Sequence, residues 1–318
     1  TSRHYNRFKN RVWNMLASMP SLRRAMQKAG NVIKQGILQN SNLFESFGFR
    51  YFGPVDGHDV ISLARTLSDL RQIKGPKLLH VLTVKGKGYA PAEQNQSVWH
   101  APGHFDPTTG ERLDKTAPDA PARYQDVFGQ TLLDLARQDK RIVGITPAMP
   151  TGCSLNIMMA EMPERCFDVG IAEGHAVTFA AGLATQGLVP FCNIYSSFSQ
   201  RAFDNIIHDV AIQQLPVVLC LDRAGLVGED GATHHGALDL AALGSVPNLT
   251  IATPMNEIEL RNMMFTALQA ERPVVIRYPR GRGVGTEWRE QPFTALEIGR
   301  GRRLADGDQV AVVSFGTV

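Results

Sequence analysis

The most constraining feature of this chain is a regular alternation of short apolar runs and longer helical patterns between residues 123 and 278. Helical spacing over 123–138 precedes an apolar run at 142–146. A run at 167–171 precedes helix 174–186, and 189–195 precedes helix 199–213. The run 216–222 enters a Gly-rich loop, and 249–253 precedes helix 256–270 and a last run at 273–278. Uninterrupted Val/Ile/Leu-rich strands alternating with helices imply a parallel sheet covered on both faces. The predicted fold class is therefore α/β. In such folds ligands bind beyond the carboxyl ends of the strands, so chemistry is expected there.

Outside this block the pattern changes. Residues 6–38 carry Val12, Trp13, Leu16, Met19, Leu22 and Met26 at helical spacing. A second helix is expected at about 58–73 and a buried strand at 78–84. Residues 86–121 are rich in Gly, Pro and Asp with little periodicity, which marks a functional loop or a linker. A boundary is placed near 117–122, and a new strand-rich unit is expected from about 296, with VAVVSF (310–315) as a strand. A chain of 318 residues fits about two domains. It begins with Thr1 and stops just after an apolar run, so both ends are expected to be cut from a longer protein.

Charge excludes several function classes. There are 33 Lys and Arg against 30 Asp and Glu, a net charge of +3 that predicts neither nucleic-acid nor membrane binding for the whole chain. The basic residues do cluster early, from Arg3 to Lys34, with no acid before Glu45. That segment reads as a solvated helix face or a connector. The alternative is an organelle transit peptide, whose serine enrichment it lacks. Cys153, Cys166, Cys192 and Cys220 form no C-x-x-C pair, so zinc-ribbon and thioredoxin readings fail, and a reducing cytoplasm is expected.

Candidate chemistry falls at strand ends. Glu173 follows the strand run in FDVGIAEGHAVTFAAG and opens an apolar, small-residue helix. It reads either as a helix-start carboxylate stabilised by the helix amino terminus or as a proton donor raised by apolar surroundings. His175 alone is more often structural. The loop GLVGEDGATHHG (225–236) holds four glycines with Asp230, His234 and His235, suited to hydroxyl binding or proton transfer. Arg201, Arg223, Arg277 and Arg280 recur at or near strand ends. Arg223 and Arg280 are the pair expected to converge on a phosphate. Tyr195 ends a strand. Lys85, Lys87, Tyr89, His100 and His104 lie in the long loop, and neither a Walker phosphate loop nor a G-x-G-x-x-G fingerprint occurs.

Six segments, GPVDGHD, KGKGYAPAE, IAEGHAVTFAAGLA, YSSFSQRAFDNIIHDVA, LDRAGLVGEDGATHHGALDL and RYPRG, occur in order between 53 and 281. Together they resemble the 1-deoxy-D-xylulose-5-phosphate synthase family. The resemblance implies a transketolase-like, thiamine-diphosphate-binding parallel-sheet fold. Residues 1–121 would be the end of the diphosphate-binding domain plus a linker. Residues 122–285 would be the pyrimidine-binding domain, and 296–318 the start of a third domain.

The implied reaction condenses pyruvate with glyceraldehyde 3-phosphate in a homodimer, releasing carbon dioxide and forming 1-deoxyxylulose 5-phosphate, a precursor of isoprenoids, thiamine and pyridoxal. The thiamine diphosphate supplies the carbanion and the protein supplies position and electrostatics. Glu173 matches the glutamate that hydrogen-bonds the aminopyrimidine, and Phe198 the aromatic residue stacked on it. His100, Asp230 and His234 match residues around the reacting carbons. Lys85, His100 and Tyr195 match residues about the cofactor. Tyr195, Arg201, Arg223 and Arg280 match the acceptor site, with Arg223 and Arg280 on its phosphate.

Two departures stand out. Gly174 replaces an expected Gln, and the G-D-G…Asn magnesium motif is missing, so magnesium ligands are expected upstream of Thr1 and this chain alone is expected to be inactive. Rival readings are a transketolase, a pyruvate-dehydrogenase-type subunit and a non-catalytic relative.

Overall fold

The computed structural model describes residues 43–113, 117 and 119–317. The helix expected over 6–38 and the basic amino-terminal cluster lie outside the described residues. The chain divides into two compact units, Thr1–Lys115 and Thr116–Val318.

In the first unit a short helix, α1 (Leu43–Ser46), leads into β1 (Arg50–Asp56). Helix α2 (Val60–Arg71) then crosses to β2 (Lys77–Leu82), which pairs with β1 in parallel. Helix α2 begins where it does because the Asp59 carboxylate accepts the Ser62 amide at 3.0 Å, satisfying one of the helix's unpaired donors. Strand β1 was not expected from sequence. Its segment RYFGPVD carries Gly53-Pro54 in its interior, residues that demote a strand reading, and the ladder accommodates them by a register shift between Phe52 and Val55. The loop that follows has more order than its composition suggested. After the five-residue α3 (Ala90–Gln94), Tyr89, Trp99 and Phe105 form an edge-to-face cluster, with centroids 5.1 and 4.8 Å apart about Trp99.

The second unit is a six-stranded, wholly parallel sheet. Its strands are β3 (Ile142–Thr146), β4 (Cys166–Asp168), β5 (Val189–Tyr195), β6 (Val218–Asp222), β7 (Thr250–Ala252) and β8 (Val274–Arg277). Their spatial order is β4-β3-β5-β6-β8-β7. Helices α4 (Tyr124–Gln138), α5 (Asn156–Glu161), α6 (Glu173–Ala184), α7 (Asp239–Leu243) and α8 (Glu257–Gln269) are joined by an interrupted helical run over 196–211.

Successive strand side chains point to opposite faces, and the core sorts accordingly. Val218 and Cys220 of β6 and Val274 and Ile276 of β8 pack with α4 and α8. Leu219 and Leu221 of β6 and Val275 of β8 pack with α6 and Val210. Burial of Val127, Phe128, Leu132 and Leu135 anchors α4, each side chain contributing roughly 1.5–3 kcal/mol.

Two expectations fail locally. The helix expected over 199–213 is broken into short turns that end in a π-helical segment, Ile206–Ala211. Asn205 and Asp209 both reach Thr178 of α6 from this run, at 3.0 and 2.5 Å. The segment 310–315 forms no strand: Val310, Val312 and Val313 are 78%, 86% and 78% exposed. No described strand lies beside it, and an extended segment becomes a strand only by pairing.

One buried acid ties the end of the domain to α8. Glu257, fully buried at the helix start, accepts the Gly285 amide at 2.8 Å and the Thr286 hydroxyl at 2.9 Å. Burial pushes its carboxyl up, but these donors and the helix's own amides outweigh that and hold it below the ordinary value of 4.5. A depressed folded-state value stabilises the fold above the unfolded value, and that stability is lost as pH falls through the folded one. Glu257→Gln should therefore flatten the loss of stability below about pH 4.5, which denaturant titrations at stepped pH would read. An unchanged acid limb would refute this.

Candidate functional site

Strands β3 and β5 are neighbours whose onward connections leave in opposite directions, to β4 and to β6. Such a reversal opens a crevice at the strands' carboxyl ends. Most of the strand-end candidates gather there.

Glu173 opens α6 just beyond β4 and is 4% exposed. Its Oε1 accepts a hydrogen bond from Arg201 Nη1 at 2.7 Å, while the Arg201 side chain is 59% exposed. The guanidinium also lies over the Phe198 ring, 5.0 Å from its centroid. Phe198 stacks on Tyr195 at 5.5 Å, and His234 stands beside both rings at 5.2 and 6.5 Å. The Arg223 guanidinium lies 4.0 Å above the Tyr195 ring. Glu173, Arg201, Phe198, His234, Tyr195 and Arg223 thus form one continuous cluster. Burial raises the Tyr195 hydroxyl well above its ordinary value, so it stays protonated.

Ion pairs extend the cluster along the Gly-rich loop. Asp230 meets Arg280 Nε at 2.9 Å, and Glu229 meets Arg280 Nη2 at 3.1 Å. Asp230 also stands 4.0 Å from Arg223 Nε. The arginines differ in availability: the side chains of Arg201, Arg280 and Arg223 are 59%, 31% and 9% exposed. His235 is spent on structure, because its Nδ1 accepts the Val227 amide at 3.2 Å and pins the loop.

Lys85 and His100 belong to the first unit, where they meet at 2.7 Å (Nζ to Nδ1). Arg277 does not face a ligand. It pairs with buried Asp239 at 2.9 Å, and Asp239 also accepts the Ser196 hydroxyl at 2.9 Å.

Sequence reasoning missed Asp222, which is wholly buried at the end of β6 and accepts both the Arg223 amide and its guanidinium, at 2.6 and 2.7 Å. An acid closing an otherwise apolar strand, LCLD, was the available signal. Gly174 gains a local reason: a Cβ there would lie 2.8 Å from Asn205 Oδ1, whose amide nitrogen is held by Thr178 and Asp209.

The donor set suits an aminopyrimidine. A buried carboxylate at a helix amino end can accept from or protonate a ring nitrogen, and Phe198 supplies a flat apolar face beside it. Among the described residues no cluster of three or more His, Cys, Asp or Glu is arranged to hold a metal ion, and no helix is long and apolar enough to cross a membrane.

Comparison with known proteins places the chain in a family. The family described as "Transketolase, pyrimidine binding domain" matches residues 120–284, and "1-deoxy-D-xylulose-5-phosphate synthase" matches 1–83. The 1-deoxy-D-xylulose-5-phosphate synthases of Bacteroides thetaiotaomicron and Cytophaga hutchinsonii are both 58% identical over the whole of this chain, covering 50% and 51% of their own lengths. The chain thus spans about half the length of the curated relatives it matches. A solved structure titled "Split gene transketolase, inactive beta4 tetramer" matches with a TM-score of 0.50 and 31% identity, over 59% of this chain and 60% of that one. With the parallel sheet and its strand-end cluster, these likenesses mean that the chain belongs to the transketolase-like family, as a fragment of the 1-deoxy-D-xylulose-5-phosphate synthase kind.

Proposed function

We propose that the full-length protein containing this chain condenses pyruvate with glyceraldehyde 3-phosphate to 1-deoxyxylulose 5-phosphate, with release of carbon dioxide. The observation that carries the reading is the buried Glu173 carboxylate at the start of α6, paired to Arg201 beside the Phe198 ring. Thiamine diphosphate, when bound, supplies the carbanion equivalent that attacks the carbonyl carbon.

This chain's residues hold and orient. Glu173 holds a proton against a pyrimidine nitrogen, in a setting where exclusion of water strengthens the hydrogen bond. Phe198 stacks on the pyrimidine face. His234 and Asp230 line the space over the reacting carbons, where they move protons between substrate oxygens and solvent. Tyr195, Arg201, Arg223 and Arg280 hold the acceptor, with Arg223 and Arg280 on its phosphate. Lys85 and His100 are assigned to the cofactor. Magnesium accompanies the diphosphate, and no residue of this chain is assigned to hold it.

In this reading residues 1–121 end the diphosphate-binding domain, 122–285 form the pyrimidine-binding domain and 296–318 begin the third. The working form is a cytoplasmic homodimer.

The test is carbon dioxide release from labelled pyruvate by the full-length protein, with thiamine diphosphate and magnesium. Release should depend on glyceraldehyde 3-phosphate and yield 1-deoxyxylulose 5-phosphate. Two-carbon transfer between sugar phosphates would instead make the protein a transketolase, and no activity of either kind would favour a non-catalytic relative.

A further inference from the structure

The Arg223 guanidinium spends one of its nitrogens on the protein and keeps the rest. Its Nη1 donates to Asp222 Oδ2 at 2.7 Å and to the Gly152 carbonyl at 2.8 Å. Its Nε is buried without a hydrogen bond, and none of the described hydrogen bonds uses Nη2. Nε and Nη2 form the edge on which two parallel N–H bonds can grip an oxyanion. One carboxylate oxygen, Asp230 Oδ2, stands 2.9 Å from Arg280 Nε and 4.0 Å from Arg223 Nε. Both guanidiniums therefore converge on a single anionic position.

What leaves that edge free is Asp222. Its wholly buried carboxylate clips one residue twice: Oδ1 accepts the Arg223 amide at 2.6 Å while Oδ2 takes the guanidinium. Backbone and side-chain tip of the arginine are thus tied to one group. The clip stands on the sheet, because Asp222 and Tyr195 are ladder partners at the ends of β6 and β5. Arg223, one residue further, takes φ +60°. Left-handed backbone at a non-glycine residue is uncommon and persists where surrounding contacts over-determine it. The Tyr195 ring, 4.0 Å from the guanidinium, closes a third side. An arginine without such anchors must give up its rotamer freedom when it takes a ligand, and this one has given it up beforehand.

We infer that Asp222 is a positioning residue: it holds Arg223 so that the Nε and Nη2 edge is presented to the acceptor's phosphate. The inference rests on the proposed function for the identity of the acceptor. Asp222 touches no substrate and acts only through Arg223, so it governs preference for a phosphorylated acceptor as well as the stability of the strand end.

The experiment uses Asp222→Asn in the full-length protein, with glyceraldehyde 3-phosphate and unphosphorylated glyceraldehyde as acceptors. The amide keeps the shape but replaces one accepting oxygen by an NH2 that faces a donor, which loosens the clip. The ratio of kcat/KM for the phosphorylated acceptor to that for the unphosphorylated one should fall by about tenfold. A merely structural acid would lower both values together and leave the ratio alone. A second readout is independent of turnover. Calorimetric affinity for glycerol 3-phosphate should fall by about tenfold in Asp222→Asn. In an Arg223→Met background Asp222→Asn should change that affinity by less than about twofold, because residues acting through one another are not additive. Should Asp222→Asn melt too low to assay, Asp222→Glu, which keeps the charge but displaces the carboxylate by one methylene, carries the same test.

An acceptor ratio that holds in the Asp222 variant would overturn the inference, as would an unchanged affinity for glycerol 3-phosphate or additivity with Arg223→Met. Absence of condensation in wild type would defeat the functional reading instead. Calorimetry with glycerol 3-phosphate would then still decide whether Asp222 sets a phosphate-gripping arginine, and no binding by wild type would overturn that as well.

Discussion

Glu173→Gln is expected to abolish turnover in the full-length protein while leaving the fold intact. The change preserves shape in a site where the side chain is 4% exposed, so no cavity forms and α6 keeps its packing through Ala176, Val177 and Ala180. It does remove the negative charge facing Arg201 at 2.7 Å. That loss costs little stability, about 1 kcal/mol, because the Arg201 side chain is 59% exposed and water solvates what the carboxylate releases. The chemical loss is far larger. An amide cannot hold and return a proton at a ring nitrogen, and positioned acid–base groups contribute roughly 10²–10⁴-fold. A steady-state assay beside a thermal melt separates the two effects. A variant within tenfold of wild type would sink the role given to Glu173, whereas a large fall in melting temperature would make it a structural acid.

The largest effect on stability is expected at Asp222. It is wholly buried, accepts the Arg223 amide at 2.6 Å and its guanidinium at 2.7 Å, and Arg223 is itself 7% exposed. Burial pushes the Asp222 carboxyl up to about 7 against the pull of the adjacent guanidinium. The geometry, with donors on both oxygens, favours the charged form. Asp222→Ala would leave an arginine buried without its counter-charge, which costs about 3–5 kcal/mol. For a unit of this size that lowers the melting temperature by roughly 10 °C.

Asp222→Ala with Arg223→Met should recover much of the loss. Removing both charges leaves no unpaired ion, and an apolar pair of similar volume is often neutral or better. A single variant melting within about two degrees of wild type would show that the pair does not hold this strand end together.

Much of the second unit is legible in the sequence alone. Strand and helix order could be read because each strand is a short apolar run and each helix keeps its spacing, so the signal is local. The strand-end rule also located Glu173, Tyr195, Asp230, His234 and Arg280 without reference to contacts. Other features were hidden for physical reasons. Strand β1 contains Gly53-Pro54, which disguises a ladder that β2 supplies from about 25 residues away. The run 196–211 has helical composition, yet its hydrogen-bonding pattern is π over Ile206–Ala211, with Asn205 and Asp209 bonded to Thr178 of α6. VAVVSF has the pattern of a strand but no described neighbour to pair with.

By itself, then, the sequence determined the α/β class, the order of elements, the strand ends as the place for chemistry and a family resemblance carried by six segments. Tertiary structure alone decided which side chains meet there. Glu173 and Arg201 are 28 residues apart, and Arg223 and Gly152 are 71 apart. Periodicity reports which face a residue presents, a property of a few neighbouring positions. A hydrogen bond or a ring stack instead depends on how strands distant in sequence are ordered in the sheet. That order is why the Arg223 guanidinium lies over the ring of Tyr195, a residue of the neighbouring strand.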